Sequence, residues 1–276
     1  MRSNHILQKL RAGEPAFGLW NTTQSPHISR MLAMQGAVDW LLLDGEHSPI
    51  DTNTLALSCS AIADASQGRC TPLVRVANGT IDQIKRALDS GAQGVLVPLV
   101  NTPEQAADVV RFAKYPPDGV RGNGGMLPHL GFAAGRIEYT RRANRETMVA
   151  IQIETREAVE NIDAILAVPG VDCAFIGPND LHISYGLTPT YWSDAPAFLD
   201  AIDRVLAACA RAGIIPGILC ADATQAAART AQGFTFVGFG SDVGLLLAAA
   251  GAGCSLLTGR PVPPGGWAGA VRQDIV

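Results

Sequence analysis

No CxxC pair occurs among the six cysteines, no GxGxxG follows the first apolar run, and only three lysines are present, none at the end of an apolar run. Each absence removes a class. Without thiols at ligand spacing a zinc cluster is not expected, and Cys59, Cys70, Cys173, Cys209, Cys220 and Cys254 read as reduced thiols, mostly within apolar segments, of a cytoplasmic protein. The missing dinucleotide fingerprint argues against an open, doubly wound sheet. No uncharged apolar run reaches the roughly 18 residues that a membrane span needs, and the opening MRSNHILQKLRA lacks the apolar core of a signal peptide. With 21 basic and 25 acidic residues, a formal charge of −4 and no basic stripe, no nucleic-acid partner is expected, which leaves a small molecule.

What is present is a rhythm. Of the 276 residues 47% are hydrophobic and 17% charged, and short apolar runs alternate with amphipathic segments: AFGLW, VDWLLLD, TPLVRV, GVLVPLV, MVAIQIE, CAFIGP, IIPGIL and FTFVGFG. Near-continuous hydrophobicity suits parallel strands covered on both faces, and eight such βα units predict a single-domain α/β fold, the (β/α)8 TIM barrel, over residues 1–256. Ser25-Pro26 and Thr102-Pro103 read as helix starts, and Gly36, Gly91, Gly213 and Gly233 as helix stops. Two segments break the rhythm: 114–135, Gly- and Pro-rich, is expected to be a lid, and 257–276 a Pro/Gly-rich tail, frayed or laid on a neighbouring subunit.

In such barrels the chemistry sits at the C-terminal ends of the strands. The polar residues there are Asn21 beside Trp20, Asp44 with Glu46 and His47 beyond it, Arg75, Gln152 and Glu154, Asn179 and Asp180, and the turn Gly238-Phe239-Gly240-Ser241-Asp242. Consecutive strands lie about 4.8 Å apart, so Glu154 and Asp180 can reach one cation; two carboxylates without His or Cys suit Mg²⁺ or Mn²⁺. Taken singly, each acid could equally favour a helix N-terminus. A buried Arg75 implies either an ion pair with a barrel acid or a clamp on a carboxylate or oxyanion. His47 is the candidate base, with Asp44 orienting its imidazole. His129 and His182 are weaker candidates, and the turn after the eighth run could cradle a phosphate or merely turn the chain.

These residues, in the stretches DWLLLDGEHSP, LVRV, YPPDGVRG, VAIQIETREAVENI, FIGPNDL and PGIL, make the chain resemble the 4-hydroxy-2-oxoheptanedioate aldolase family. These are metal-dependent pyruvate aldolases that include macrophomate synthase-like members. The resemblance covers about residues 5–255. It implies that Glu154 and Asp180 bind the divalent cation, that Arg75 steadies an enolate oxygen, and that His47, oriented by Asp44, is the base, acting through a water. The Asn179-Asp180 backbone would hold the pyruvate carboxylate, with Gln152, Trp20 and Leu219 also against the substrate, in a homo-oligomer (trimer or hexamer). Two departures, NGGMLPHLGFAAG after RG and His182 in place of the usual Ser, fall where the acceptor is expected. Oxaloacetate decarboxylation, macrophomate synthase-like chemistry and an oligomeric binding barrel without turnover therefore stay open. Lys9, Lys85 and Lys114 all lie in helical or loop segments, which leaves no strand-end lysine for imine catalysis.

Overall fold

The computed structural model describes residues 1–260. Eight parallel strands, β1 (Ala16–Asn21), β2 (Trp40–Asp44), β3 (Thr71–Arg75), β4 (Gly94–Val97), β5 (Met148–Ile153), β6 (Cys173–Ile176), β7 (Ile215–Leu219) and β8 (Phe236–Ser241), close into one barrel in sequence order. All neighbours are parallel, β8 returning to β1. Among the described residues no helix is long and apolar enough to cross a membrane.

Because side chains alternate along a strand, each run feeds two cores. Leu41, Leu43, Val74, Val95, Val149, Ile151, Ile176 and Val237 face outward into the layer beneath the helices. Trp40, Leu42, Leu73, Leu96, Ala150, Phe175 and Phe236 face inward. Four aromatics meet here: Trp40 lies 4.5 Å from Phe236 and Trp20 5.5 Å from Phe175, centroid to centroid. Room for Trp40 comes from Gly18, where any Cβ would collide with the indole. The N-terminal mouth is plugged by Ile6, Leu7 and Leu10 of the helix His5–Arg11, which pack into the inner cluster.

The helix signals are used as expected at most positions. Ser25 caps Pro26–Ala33, Thr102 and Gln105 form a capping box on Pro103–Ala113, and Gly91, Gly213 and Gly233 take positive φ; Gly36 does not. The helix Asp242–Thr258 runs past the expected boundary at 256 and stops at Gly259 in the left-handed region. Of the expected tail, residues 261–276 lie outside the described residues.

Segment 114–135 is not a lid over its own site. The chain enters it only after passing along the helix Pro103–Ala113, so it emerges at the starts of the strands. There Lys114 Nζ donates to Thr147 O (2.7 Å), Gln93 Nε2 to Gly131 O (3.3 Å) and Arg2 N to Phe132 O (2.8 Å). Phe132, Tyr115 and Tyr139 form a small core of their own, and His129, bonded through Nδ1 to Ala134 O, belongs to this end, away from the catalytic rim.

Candidate active site

Following the inward positions up the barrel, the apolar layers give way to a polar one: Trp40, Leu42, then Asp44; Thr71, Leu73, then Arg75; Met148, Ala150, then Gln152 and Glu154. Asp44 and Arg75 are register partners on β2 and β3. Arg75 donates to Asp44 through Nε (3.0 Å) and NH2 (2.7 Å), pairs with Glu46 Oε2 through NH1 (3.0 Å), and its Cζ sits 5.4 Å from the Trp20 ring centroid. Both readings of Arg75 are thus compatible: it is ion-paired, yet the contacts occupy three of the roughly five N–H donors a guanidinium carries. Burial favours the neutral acid at Asp44, but the Arg75 hydrogen bonds and charge, with backbone N–H from His47 and Glu46, hold its pKa below the ordinary carboxylate value.

Asp44 does not orient the imidazole. Its oxygens are taken by Arg75 and by the Glu46 and His47 backbone N–H groups (3.1 and 3.2 Å), so it shapes the turn instead. The acid nearest the ring is Glu46, with Oε2 3.8 Å from His47 Nε2. Glu46, which had no assigned role, lies between the His47 imidazole and the Arg75 guanidinium; burial raises its pKa, with Arg75 opposing. Arg75's fork geometry was the signal for it, since a guanidinium readily takes two carboxylates.

Glu154 is buried at the end of β5. Its Oε1 accepts from Leu99 N (2.9 Å) and its Oε2 from Gln152 Nε2 (2.7 Å). Leu99 adopts φ +54° to present that N–H, a left-handed conformation costly for a leucine. Gly177 opposite must lack a side chain, because a Cβ would strike Glu154 Oε2. Desolvation pushes the Glu154 carboxyl up to about 7; the Leu99 N–H opposes this, while the charges of Asp180 and Glu46 add to it.

These residues fit a hard divalent cation. The side-chain atoms able to ligate a cation here, on Glu154, Asp180 and Gln152, are oxygens; Asp180 lies within electrostatic range of Glu154, and the buried Gln152 Oε1 has no hydrogen-bond partner. Among the described residues no three His, Cys, Asp or Glu form a ready cage, in keeping with a Mg²⁺-type ion bound by one or two carboxylates and completed by water and substrate.

A cavity of about 510 Å³ opens above this layer, lined by Trp20, Asp44, His47, Arg75, Gln152, Asn179, Asp180 and Leu219 among the candidate residues, though not by Glu154, and also by Tyr191, Thr22 and Ser241. Ser241 belongs to the turn already marked by the sequence, whereas Tyr191 and Thr22 carry no sequence pattern that marks them. His182 is absent from the lining: it is fully buried, bonded to Pro178 O (2.7 Å) and Ser193 Oγ (2.8 Å). Nor does the turn after β8 form a phosphate cup. Ser241 caps Gly244 N, and the Asp242 carboxylate already fills the helix start, accepting from the backbone and hydroxyls of Thr22 and Thr23.

Glu154 predicts an unusual pH dependence. Its folded pKa, about 7, lies above the ordinary 4.5, so its contribution to stability is complete below 4.5 and is lost as pH rises through 7, by up to about 1.4 kcal/mol per unit. Asp44 acts oppositely and in another window, its contribution being lost only as pH falls below the ordinary 3.8. In EDTA, the urea midpoint of the protein should fall relative to that of Glu154→Gln between pH 5 and 7.5; parallel curves would contradict a titrating buried carboxyl.

The HpcH/HpaI aldolase/citrate lyase family matches residues 16–249. The chain is 41% identical over 250 residues to a hydroxypyruvate/pyruvate aldolase of Deinococcus radiodurans, covering 90% of this chain and 87% of that one. To a 4-hydroxy-2-oxo-heptane-1,7-dioate aldolase of Escherichia coli it is 38% identical over 247 residues, 90% and 92% of the two chains. A solved HpcH/HpaI aldolase/citrate lyase family protein from Burkholderia cenocepacia superposes with a TM-score of 0.85 at 35% identity, over 93% of this chain and 100% of that one. The polar layer thus stands on a barrel shared along nearly its whole length with named aldolases, and the chain belongs to the HpcH/HpaI aldolase/citrate lyase family, an enzyme of the carbon–carbon lyase class.

Proposed function

We propose that the enzyme forms or cleaves 4-hydroxy-2-oxo acids through the enolate of pyruvate or a close analogue such as hydroxypyruvate, with Mg²⁺ or Mn²⁺ held by Glu154 and Asp180. The observation that carries this is the polar layer itself: a fixed guanidinium and buried carboxylates beneath one cavity, with an exposed imidazole at its rim. When bound, the cation supplies positive charge that favours enolate formation from the 2-oxo acid. Arg75, held by Asp44 and Glu46, offers its uncommitted N–H donors to the developing oxyanion without having to reorganise. His47 takes the proton from C3, or in the cleavage direction from the 4-hydroxyl, with Glu46 Oε2 3.8 Å from its Nε2. First-turn N–H groups of the helix Pro178–Ser184, at Asn179 and Asp180, are free of helical partners and suit the pyruvate carboxylate.

Incubation with pyruvate in D₂O should give exchange of the methyl protons that requires Mg²⁺ or Mn²⁺ and stops with EDTA. No exchange with either metal would overturn the reading.

The same reading includes a homo-oligomer, trimer or hexamer. Supporting it, the helix Asp242–Thr258 exposes Leu245, Leu246, Leu247, Leu256 and Leu257 and buries only Asp242, an apolar surface suited to a second copy. Five free buried cysteines and one exposed one, Cys254, fit a reducing, cytoplasmic setting.

A further inference from the structure

The departure at His182 acts at a distance from the pocket. Its ring stacks on Phe198 at 4.0 Å, and its two nitrogens are spoken for. Pro178 O can only accept, so Nδ1 carries the proton; Nε2 is then the acceptor for the Ser193 hydroxyl, whose oxygen in turn accepts from Ala195 N (3.3 Å). One residue earlier, Trp192 lies edge-on to Phe198 and takes the Arg229 guanidinium against its face, Cζ 3.2 Å from the ring centroid. Arg229 Nε and NH1 are buried without hydrogen-bond partners, so the indole face is a principal contact of that group. Residues 192 and 193 are clamped from two elements, and the next residue back, Tyr191, lines the cavity together with Asn179.

The cavity has two unlike halves. Arg75, Gln152 and Asp180 come from the β3, β5 and β6 side, where the 2-oxo acid is placed under the proposed function. The other half presents Tyr191, Leu219, Val243, Ser241 and Thr22: an aromatic ring, two aliphatic side chains and two hydroxyls. Among the lining residues the basic side chains are Arg75, already paired with two acids, and His47 at the rim.

Resting on the aldolase reading, we propose that Tyr191 is the acceptor-side specificity residue, positioned by the His182–Ser193 and Arg229–Trp192 contacts, and that it selects an uncharged aldehyde. In the addition, the enolate collapses to the 2-ketone as C3 bonds to the aldehyde carbon, and the aldehyde oxygen takes back the proton that His47 removed from C3 to become the 4-hydroxyl. The aldehyde's substituent then lies along the Tyr191, Leu219 and Val243 wall. A substituent ending in a carboxylate, such as the 4-oxobutanoate released from a 4-hydroxy-2-oxoheptane-1,7-dioate, would be desolvated there against a wall that offers no basic side chain.

The test compares propanal with 4-oxobutanoate as acceptors for pyruvate, alongside methyl-proton exchange in D₂O without acceptor. Wild type should favour propanal in kcat/KM by at least tenfold. Tyr191→Ala should lower that preference about tenfold, mainly through the KM for propanal, a drop well beyond any in exchange. Tyr191→Phe should keep most of the preference, and Ser193→Ala should move it in the same direction as Tyr191→Ala. A wild type that prefers 4-oxobutanoate, or a Tyr191→Ala variant whose preference is unchanged, would overturn the assignment while exchange persists. Loss of exchange in the wild type would instead overturn the aldolase reading on which it rests.

Discussion

Arg75→Met should lower kcat/KM by about 10³-fold, at the upper end for removal of a preorganised oxyanion donor, and should also destabilise the fold by roughly 3–5 kcal/mol. The two losses have separate origins. Catalysis loses the positive group aimed at the developing enolate. Stability falls because Asp44, with a side chain only 3% exposed, keeps its charge but loses its bidentate partner. A second substitution separates them: Arg75→Met combined with Asp44→Leu removes both charges from a layer that sits directly on Leu42 and Leu73, and should recover most of the unfolding free energy with none of the activity. Urea denaturation and pyruvate exchange, measured on both variants, check this. If the double variant were no more stable than the single one, the buried ion pair would not be the source of the loss.

Glu154→Gln should abolish metal-dependent exchange, a fall of 10³-fold or more, because a cation's charge stabilisation is worth several kcal/mol. The substitution is nearly isosteric and leaves Leu99 N an acceptor, so the fold should persist. Titration calorimetry with Mn²⁺ should show weakened binding, and in the parent protein binding should weaken as pH falls below about 7, where protons compete for Glu154. His47→Ala is the control: it should lose about 10²–10⁴-fold in rate with Mn²⁺ binding retained. Equal loss of metal in both variants would mean that the two roles are wrongly divided.

Much of this was legible because a barrel strand writes its layers in alternation. In WLLLD the inward set is Trp40, Leu42, Asp44, and the change from apolar to acidic marks where the interior ends and the rim begins. The same phase singles out Arg75, Gln152 and Glu154. What was not legible depends on connections. Segment 114–135 has the composition of a lid, but composition does not say at which end of the barrel a loop emerges; the preceding helix does. His182 follows Asp180 closely in sequence, yet two residues of helix, about 200° of rotation, carry it inward to Phe198 and Ser193. Asp44 and His47 are near enough in sequence to suggest a dyad, but Arg75, 31 residues away, takes the carboxylate first.

The alternation of inward and outward side chains also sets what kinds of change this protein can survive. A one-residue insertion within β2 or β5 would shift the strand by one step, turning Leu43 or Ile153 toward the cavity and Asp44 or Glu154 into the apolar layer beneath the helices. The chemistry is therefore locked to a reading frame in space, and such indels erase it outright. The connection carrying Tyr191 obeys no such frame. It can lengthen, shorten or change composition while the polar layer stays in phase, so the wall of the cavity that Tyr191 forms can vary without disturbing that layer.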